Sequence, residues 1–420
     1  MEQVKNLKCL LCGHEYGPDE VLYVCPNHGT EGILDVQYDY DLITSKFSRT
    51  DLKGKGESSL WRYKPLLPVK SNTPVPPLTV GWTPLYPAPR LAKTLGLEHL
   101  WVKDDCRQPT ASFKDRASLI AIVKALEVNA EVITTASTGN AAAALSGLCA
   151  SIGMPNVIFV PASAPEAKIA QLMVFGSTVL LIEGTYDDAF DLCLESAQVY
   201  GWYIRNTGYN PYMTEGKKTA LYEIYEQLEW EGPDAIFVPV GDGCIIGGLH
   251  KGLKDLFALG WIKKMPRLIG VQASGSAAMY HAWKQEMDPV QIKPIKASTI
   301  ADSMASGLPR DRIKAMRAVR ETGGAFLAVT DEEILQAIPA LARGCGVFAE
   351  PAGASSFAGL VKAVQTGLVR PEERIVILAT GSGLKDIPAA MQTVGKPKRI
   401  RASLKAVEAA LDDNLFLLKR

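Results

Sequence analysis

Ala235-Ile236-Phe237-Val238-Pro239-Val240 runs directly into Gly241-Asp242-Gly243-Cys244-Ile245-Ile246-Gly247-Gly248 and then into Leu249-His250-Lys251-Gly252-Leu253. An unbroken apolar run of this kind reads as a strand buried on both faces, and the renewed apolar spacing after the glycines reads as a helix. Strand, glycine loop and helix start together form one βα unit, the building block of a parallel sheet. Backbone N–H groups converge at such a loop and the helix dipole favours negative charge, so the turn is also an anion site. Taken alone it is equally an ordinary tight strand-to-helix turn. It has neither the Lys-Ser/Thr ending of a nucleotide P-loop nor a Gly-x-Gly-x-x-Gly pattern with a downstream acidic partner.

Similar runs at 156–160, 178–182, 267–272 and 374–379 alternate with helical stretches, and they rarely alternate polar with apolar residues. This predicts an α/β protein with mostly parallel strands covered on both faces. With 420 residues, 47% of them hydrophobic, the chain can bury a large core and divides into two major lobes plus a small amino-terminal unit. It contains no internal repeat and no low-complexity segment.

Three further stretches carry chemistry. In Pro109-Thr110-Ala111-Ser112-Phe113-Lys114-Asp115-Arg116 a turn enters a helix with apolar positions at Leu119, Ile122, Val123 and Leu126. Lys114 then lies in the first helical turn, where the positive helix end disfavours its ammonium form and favours a nucleophilic amine. Alone, it reads as a solvated lysine paired with Asp115. Ser137-Thr138-Gly139-Asn140 follows the apolar run 131–136 and precedes the helix of Ala141-Ala142-Ala143-Ala144-Leu145. Asn140 is there either a helix N-cap or an amide donor to a ring hydroxyl, with Ser137 and Thr138 free for a substrate's anionic end. Thr380 ends the run Arg374-Ile375-Val376-Ile377-Leu378-Ala379 and opens Thr380-Gly381-Ser382-Gly383-Leu384-Lys385-Asp386. Its hydroxyl can meet a pyridine nitrogen without fully protonating it, or can simply close a turn.

A reactive lysine, a phosphate cradle and a polar partner for a ring nitrogen are together what pyridoxal 5'-phosphate requires. In order and spacing the four stretches resemble fold-type II (tryptophan synthase β-type) pyridoxal-phosphate enzymes, and within that group the threonine synthase family. The likeness takes in Trp61-Arg62-Tyr63-Lys64-Pro65-Leu66-Leu67-Pro68, Gly81-Trp82-Thr83-Pro84-Leu85, Ala167-Lys168-Ile169-Ala170-Gln171-Leu172 and Gly184-Thr185-Tyr186-Asp187-Asp188-Ala189. It implies a smaller lobe at 91–215 and a larger one at 216–420, preceded by a lead-in at 41–90 and a knuckle at 1–40. It implies Lys114 as the Schiff-base lysine, Asn140 at the ring hydroxyl, Thr380 at the ring nitrogen, and Gly241, Asp242, Gly243, Cys244 and Ile245 around the phosphate. The implied activity is that of a carbon–oxygen lyase of amino-acid biosynthesis, a homodimer that converts O-phosphohomoserine and water to threonine and phosphate. Lys114 then moves protons at Cα and Cβ.

One segment departs from that family. Asn206-Thr207-Gly208-Tyr209-Asn210-Pro211-Tyr212-Met213-Thr214-Glu215-Gly216-Lys217-Lys218-Thr219 resembles its Asn-Ser-x-Asn-Pro-x-Arg-x-Glu-Gly-Gln-Lys-Thr, with Asn210 and Lys218 as candidate substrate contacts. Counted back from Glu215, the arginine is Met213 here, and the Asn-Ser pair is displaced by one residue. An arginine fork grips phosphate in two places and methionine cannot, which leaves Lys168, Lys217 or Lys218 to compensate. Two other outcomes stay open: an ammonia-lyase acting on threonine or serine, and a β-replacing synthase using a substrate such as O-phosphoserine. Intact Lys114, Asn140 and Thr380 argue against a catalytically silent binding protein.

Cys9-Leu10-Leu11-Cys12 and Cys25-Pro26-Asn27-His28 are two short pairs separated by a dozen residues, which predicts a closed, structural Cys3His zinc ribbon. The alternatives are a ribbon without metal, or His14 in place of His28. Lys and Arg are not dense enough here to suggest a nucleic-acid module. The proline-rich stretch from Pro65 to Pro89 reads as a linker.

The 45 basic and 45 acidic residues leave no global field, so nucleic acid and anionic membranes are poor partners. Neither a secretory h-region nor a run of membrane-spanning length is visible, which predicts a cytoplasmic protein. Cys106, Cys149, Cys193, Cys244 and Cys345 are scattered singly, as reduced thiols are. The tail, amphipathic through Leu404, Val407, Leu411 and Leu415 to Leu418, packs on a partner subunit or on its own domain.

Overall fold

A small antiparallel sheet precedes two sheets of parallel strands, and the chain visits the larger of these twice. The computed structural model describes residues 1–137, 139–164 and 166–411; Thr138 and the tail's Leu415 to Leu418 lie outside the described residues. The first sheet has the order β2-β1-β3, from β1 (Val4–Cys9), β2 (Glu15–Tyr16) and β3 (Leu34–Tyr38). The largest comprises β4 (Leu85–Pro87), β5 (His99–Asp104), β10 (Ala235–Pro239), β11 (Arg267–Ala273), β12 (Ala325–Val329) and β13 (Arg374–Ala379), in the order β12-β11-β10-β13-β5-β4. Only the β4–β5 pair in it is antiparallel. The third sheet, β8-β7-β6-β9, is parallel throughout and contains β6 (Ile133–Ala136), β7 (Asn156–Pro161), β8 (Thr178–Ile182) and β9 (Tyr203–Ile204).

The unbroken apolar run at β10 has a direct cause in packing. Ile236 and Val238 enter one core with Ile246, Leu249 and Leu253 of the helix Cys244–Ala258. Ala235 and Phe237 enter the other with Phe357 and Leu360 of the helix Pro351–Gln365. Each large side chain buried this way contributes on the order of 1.5–3 kcal/mol.

The lobe boundaries differ from those expected. β5 pairs with β13, Val102 opposite Ile377, so the smaller lobe does not begin at 91. Strands distant in sequence share one sheet whenever a crossover returns the chain, and contiguous segments hide this. The stretch 41–90 is likewise no free linker. Leu60, Tyr63, Leu66 and Leu67 are at most 1% exposed, and Arg62 Nη2 meets Glu226 Oε1 at 2.5 Å. The amino-terminal sheet docks on the body through the Tyr38 hydroxyl, which donates to Glu215 at 2.6 Å, and the Tyr23 hydroxyl, which accepts from Ile204 N at 2.8 Å. The tail helix, Leu404–Leu411, has no buried residue.

Candidate active site

The helix Lys114–Glu127 follows a strained turn. Ala111 has φ +62°, a left-handed conformation unusual outside glycine, held by Ala111 N donating to Gln108 O at 2.8 Å and Ser382 N donating to Ala111 O at 3.0 Å. Asp115 does not pair with Lys114. It accepts from Thr110 N at 2.7 Å and from the Thr110 hydroxyl, and burial lifts its carboxyl to about 6. Lys114 is left facing a cavity of about 700 Å³. Burial is the main force lowering its amine, Arg205 adds to it, and Cys244, Glu350 and Asp242 oppose it.

Ser137, Asn140, Gly241, Asp242, Gly243, Cys244, Ile245 and Thr380 line the same cavity. A Cβ on Gly241 would lie 3.0 Å from Met304 Cα, and Gly243, at φ +91°, would bring one to 2.8 Å from Ala315 Cβ. Only glycine permits that close a passage and that backbone. Gly243 caps the helix Cys244–Ala258, whose free amino-terminal N–H groups therefore begin at the cavity wall. Asp242 Oδ1 accepts from the Ser306 hydroxyl at 2.8 Å. Gly139, not Asn140, is the N-cap of the helix Asn140–Ala150. The Asn140 amide donates instead to Glu350 Oε1 at 2.7 Å.

Two expected substrate contacts lie elsewhere. Asn210 Nδ2 donates to Ile204 O at 2.8 Å and to the Tyr203 hydroxyl at 3.0 Å, bracing the turn after β9. Lys218 Nζ is fully buried between Glu215 Oε2 at 2.6 Å and Asp255 Oδ2 at 2.8 Å. A segment that looks uniformly polar in sequence is split here by a helix, which turns Lys217 toward the cavity and Lys218 away from it. Sequence reasoning missed Glu350 and Arg205, both cavity residues. The available signals were a carboxylate just before the proline that opens a helix, and a cation placed between an apolar strand end and Asn206.

A buried amine with lowered basicity, a glycine cradle at a helix start and a hydroxyl-bearing strand end fit pyridoxal phosphate chemically. Residues 77–381 match the family described as pyridoxal-phosphate dependent enzymes. The chain belongs to that family. Relatives of this pyridoxal-phosphate-dependent enzyme include a threonine synthase from Methanocaldococcus jannaschii, 38% identical over 97% of this chain and 99% of its own length. Another from Methanosarcina acetivorans is 39% identical over 97% of this chain and 98% of its own length. Among solved structures, a diaminopropionate ammonia lyase from Escherichia coli aligns with TM-score 0.65 and 18% identity, over 83% of this chain and 92% of that one. A threonine deaminase from Solanum lycopersicum aligns with TM-score 0.64 and 24% identity, over 74% and 83% respectively. These last two establish likeness of fold alone.

Apart from this site, the ligand atoms of Cys9, Cys12, Cys25 and His28 all lie within 4.8 Å of one another. His14 does not join them; its ring lies 4.5 Å from that of Tyr16. Burial works against the Cys25 thiolate, but hydrogen bonds from Tyr16 and His28 bring it down to about 6. Three thiols and an imidazole are a donor set suited to a closed tetrahedral ion. No helix among the described residues is long and apolar enough to cross a membrane.

Proposed function

We propose that this pyridoxal-phosphate-dependent enzyme is a threonine synthase, converting O-phosphohomoserine and water to threonine and inorganic phosphate. The observation that carries the reading is identity of 38% and 39% to threonine synthases along almost the whole chain, with Lys114, the glycine loop and Thr380 around one cavity. The ammonia-lyase reading rests on likeness of fold alone.

When bound, pyridoxal phosphate supplies an electron sink for the negative charge left as protons leave the amino acid's carbons. Lys114 would hold it, with Gly241 to Ile245 around its phosphate, Asn140 at its ring hydroxyl and Thr380 at its ring nitrogen. The Lys114 amine, whose basicity burial lowers, takes protons from Cα and Cβ and delivers them to Cγ and back to Cα. Glu350 orients the Asn140 amide. Ser137 offers its hydroxyl to the substrate's carboxylate. Phosphate leaves from Cγ, Cγ takes up a proton to become the methyl group, water adds its hydroxyl at Cβ, and Cα regains its proton. In the amino-terminal unit, Cys9 at the end of its first strand and Cys12, Cys25 and His28 in the adjoining loops would hold a structural zinc ion.

The test is product analysis with cofactor-loaded protein. O-phosphohomoserine should give threonine and phosphate in equal amounts. Silence with it, but ammonia and a 2-oxo acid from serine or threonine, would replace the reading with an ammonia-lyase.

A further inference from the structure

We propose that Arg205 and Lys217 form a phosphate-monoester subsite that receives the substrate's phosphate in place of the arginine whose position Met213 fills. The proposal rests on the threonine synthase reading of the same cavity.

Met213 cannot take part. It is 1% exposed, packed in the main core, and contributes its carbonyl, which accepts from Lys217 Nζ at 3.0 Å. Of the lysines that might replace an arginine, Lys218 is committed to Glu215 and Asp255, and Lys168 is paired with Asp302. Lys217 and Arg205 both line the cavity, at 0% and 1% exposure.

Arg205 is held in place by two of its three nitrogens. Nε donates to Ser118 Oγ at 3.1 Å and Nη1 to Thr207 Oγ1 at 2.9 Å, while Nη2 is buried without a hydrogen-bond partner. Neither Arg205 nor Lys217 forms an ion pair among the described residues. Glu350 is engaged with Asn140 and Asp242 with Ser306, while Asp311 lies 3.9 Å from Lys314 Nζ with its Oδ1 buried and lacking a hydrogen-bond partner among the described residues.

A buried guanidinium with an open N–H beside an unpaired ammonium is costly for the empty site. An incoming dianion removes that cost and meets a fork whose orientation is already set, so little entropy is lost. Two phosphate monoesters enter this cavity, one on the cofactor and one on the substrate. The glycine loop with its helix start already serves one of them through backbone N–H groups, which leaves the side-chain cations for the other.

The experiment compares wild type with Arg205→Gln, Arg205→Lys and Lys217→Gln. Charge-assisted hydrogen bonds of this kind correspond to roughly 10- to 100-fold in affinity. KM for O-phosphohomoserine should rise by about 30-fold in Arg205→Gln and Lys217→Gln, with kcat changed less and part of the loss recovered in Arg205→Lys. Cofactor affinity, titrated by absorbance, should stay within about twofold. Independently of turnover, inorganic phosphate should raise the Tm of the cofactor-saturated wild type but not of Arg205→Gln. Lys217→Gln leaves the Ser118 and Thr207 bonds untouched, so it reports even if the arginine variants fold poorly. Unchanged KM and an unchanged phosphate-induced Tm shift overturn the proposal. So does a tenfold loss of cofactor affinity with KM unaltered, which would assign the pair to the cofactor's phosphate. A wild type inactive toward O-phosphohomoserine defeats the threonine synthase reading instead; the subsite then stands if the phosphate shift requires Arg205, and falls if it does not.

Discussion

Phe113 donates its backbone N–H to the carbonyl of Thr380 at 2.9 Å, which ties the residue before Lys114 to the strand end expected at a ring nitrogen. A bridge between Ser112 and Gly381 extends the contact. The spacing of the two groups is thereby set by backbone, and side-chain changes at Lys114 should leave it intact. Lys114→Ala is expected to lose the visible absorbance of lysine-bound cofactor and to lower turnover by about 10³-fold or more, with an unchanged unfolding midpoint. Full activity in this variant would remove Lys114 from the mechanism.

The lysine helix is anchored two residues after Lys114. Arg116 meets Asp105 Oδ2 at 2.7 Å and Glu223 Oε1 at 2.5 Å, and Lys103 meets Glu223 Oε2 at 2.7 Å, all nearly inaccessible to solvent. Burial resists ionisation of Glu223, but Arg116 and Lys103 outweigh it and hold the carboxyl at about 2. A carboxyl lower in the folded than in the unfolded state stabilises the fold above its unfolded pKa. That contribution is lost as pH falls from roughly 4.5 toward 2. Glu223→Gln should cost about 3–5 kcal/mol near neutrality by leaving buried cations uncompensated. Its urea midpoint should fall less steeply than the wild type's on acidification across that window.

Parallel strands buried on both faces leave unbroken apolar runs, so the runs at 156–160, 235–240, 267–272 and 374–379 emerged as strands, and 178–182 did too, though at a sheet edge with none of its residues buried. The membership of β5 in the larger sheet was not legible, because pairing with β13 is a relation between residues about 275 positions apart. Within the site, residues next to glycine punctuation were visible as candidates, since glycines mark close backbone passage. Arg205 and Glu350 carry only weak local marks, a place at a strand end and a place before a helix-opening proline. Their significance comes from burial and from which partners they lack or share, and both are properties of the assembled cavity.

The same reasoning reverses a natural expectation about Met213. Restoring the family's arginine by Met213→Arg would place a cation in a buried apolar core. The variant should lose about 2–5 kcal/mol of stability and gain no affinity for a phosphorylated substrate. Chemical denaturation together with KM for O-phosphohomoserine checks this. A lower KM in a stable protein would show that the arginine reaches the cavity after all.

The amino-terminal site gives a prediction that separates metal from catalysis. The amino-terminal unit bearing Cys9, Cys12, Cys25 and His28 touches the body at points that include Tyr23, whose hydroxyl accepts from Ile204 N next to Arg205, and Tyr38, which donates to Glu215. Neither contact lines the cavity. Protein purified without added metal should contain one equivalent of zinc, and Cys12→Ser should contain almost none. Because metal binding energy at such a site is folding energy, the zinc-depleted protein should unfold about 5 °C or more below the wild type. Bound cofactor absorbance should persist, since the cavity is built by the two parallel sheets and their helices. Zinc in the wild type with an unaltered Tm in Cys12→Ser would mean that the ribbon is held by its own hydrogen bonds and packing.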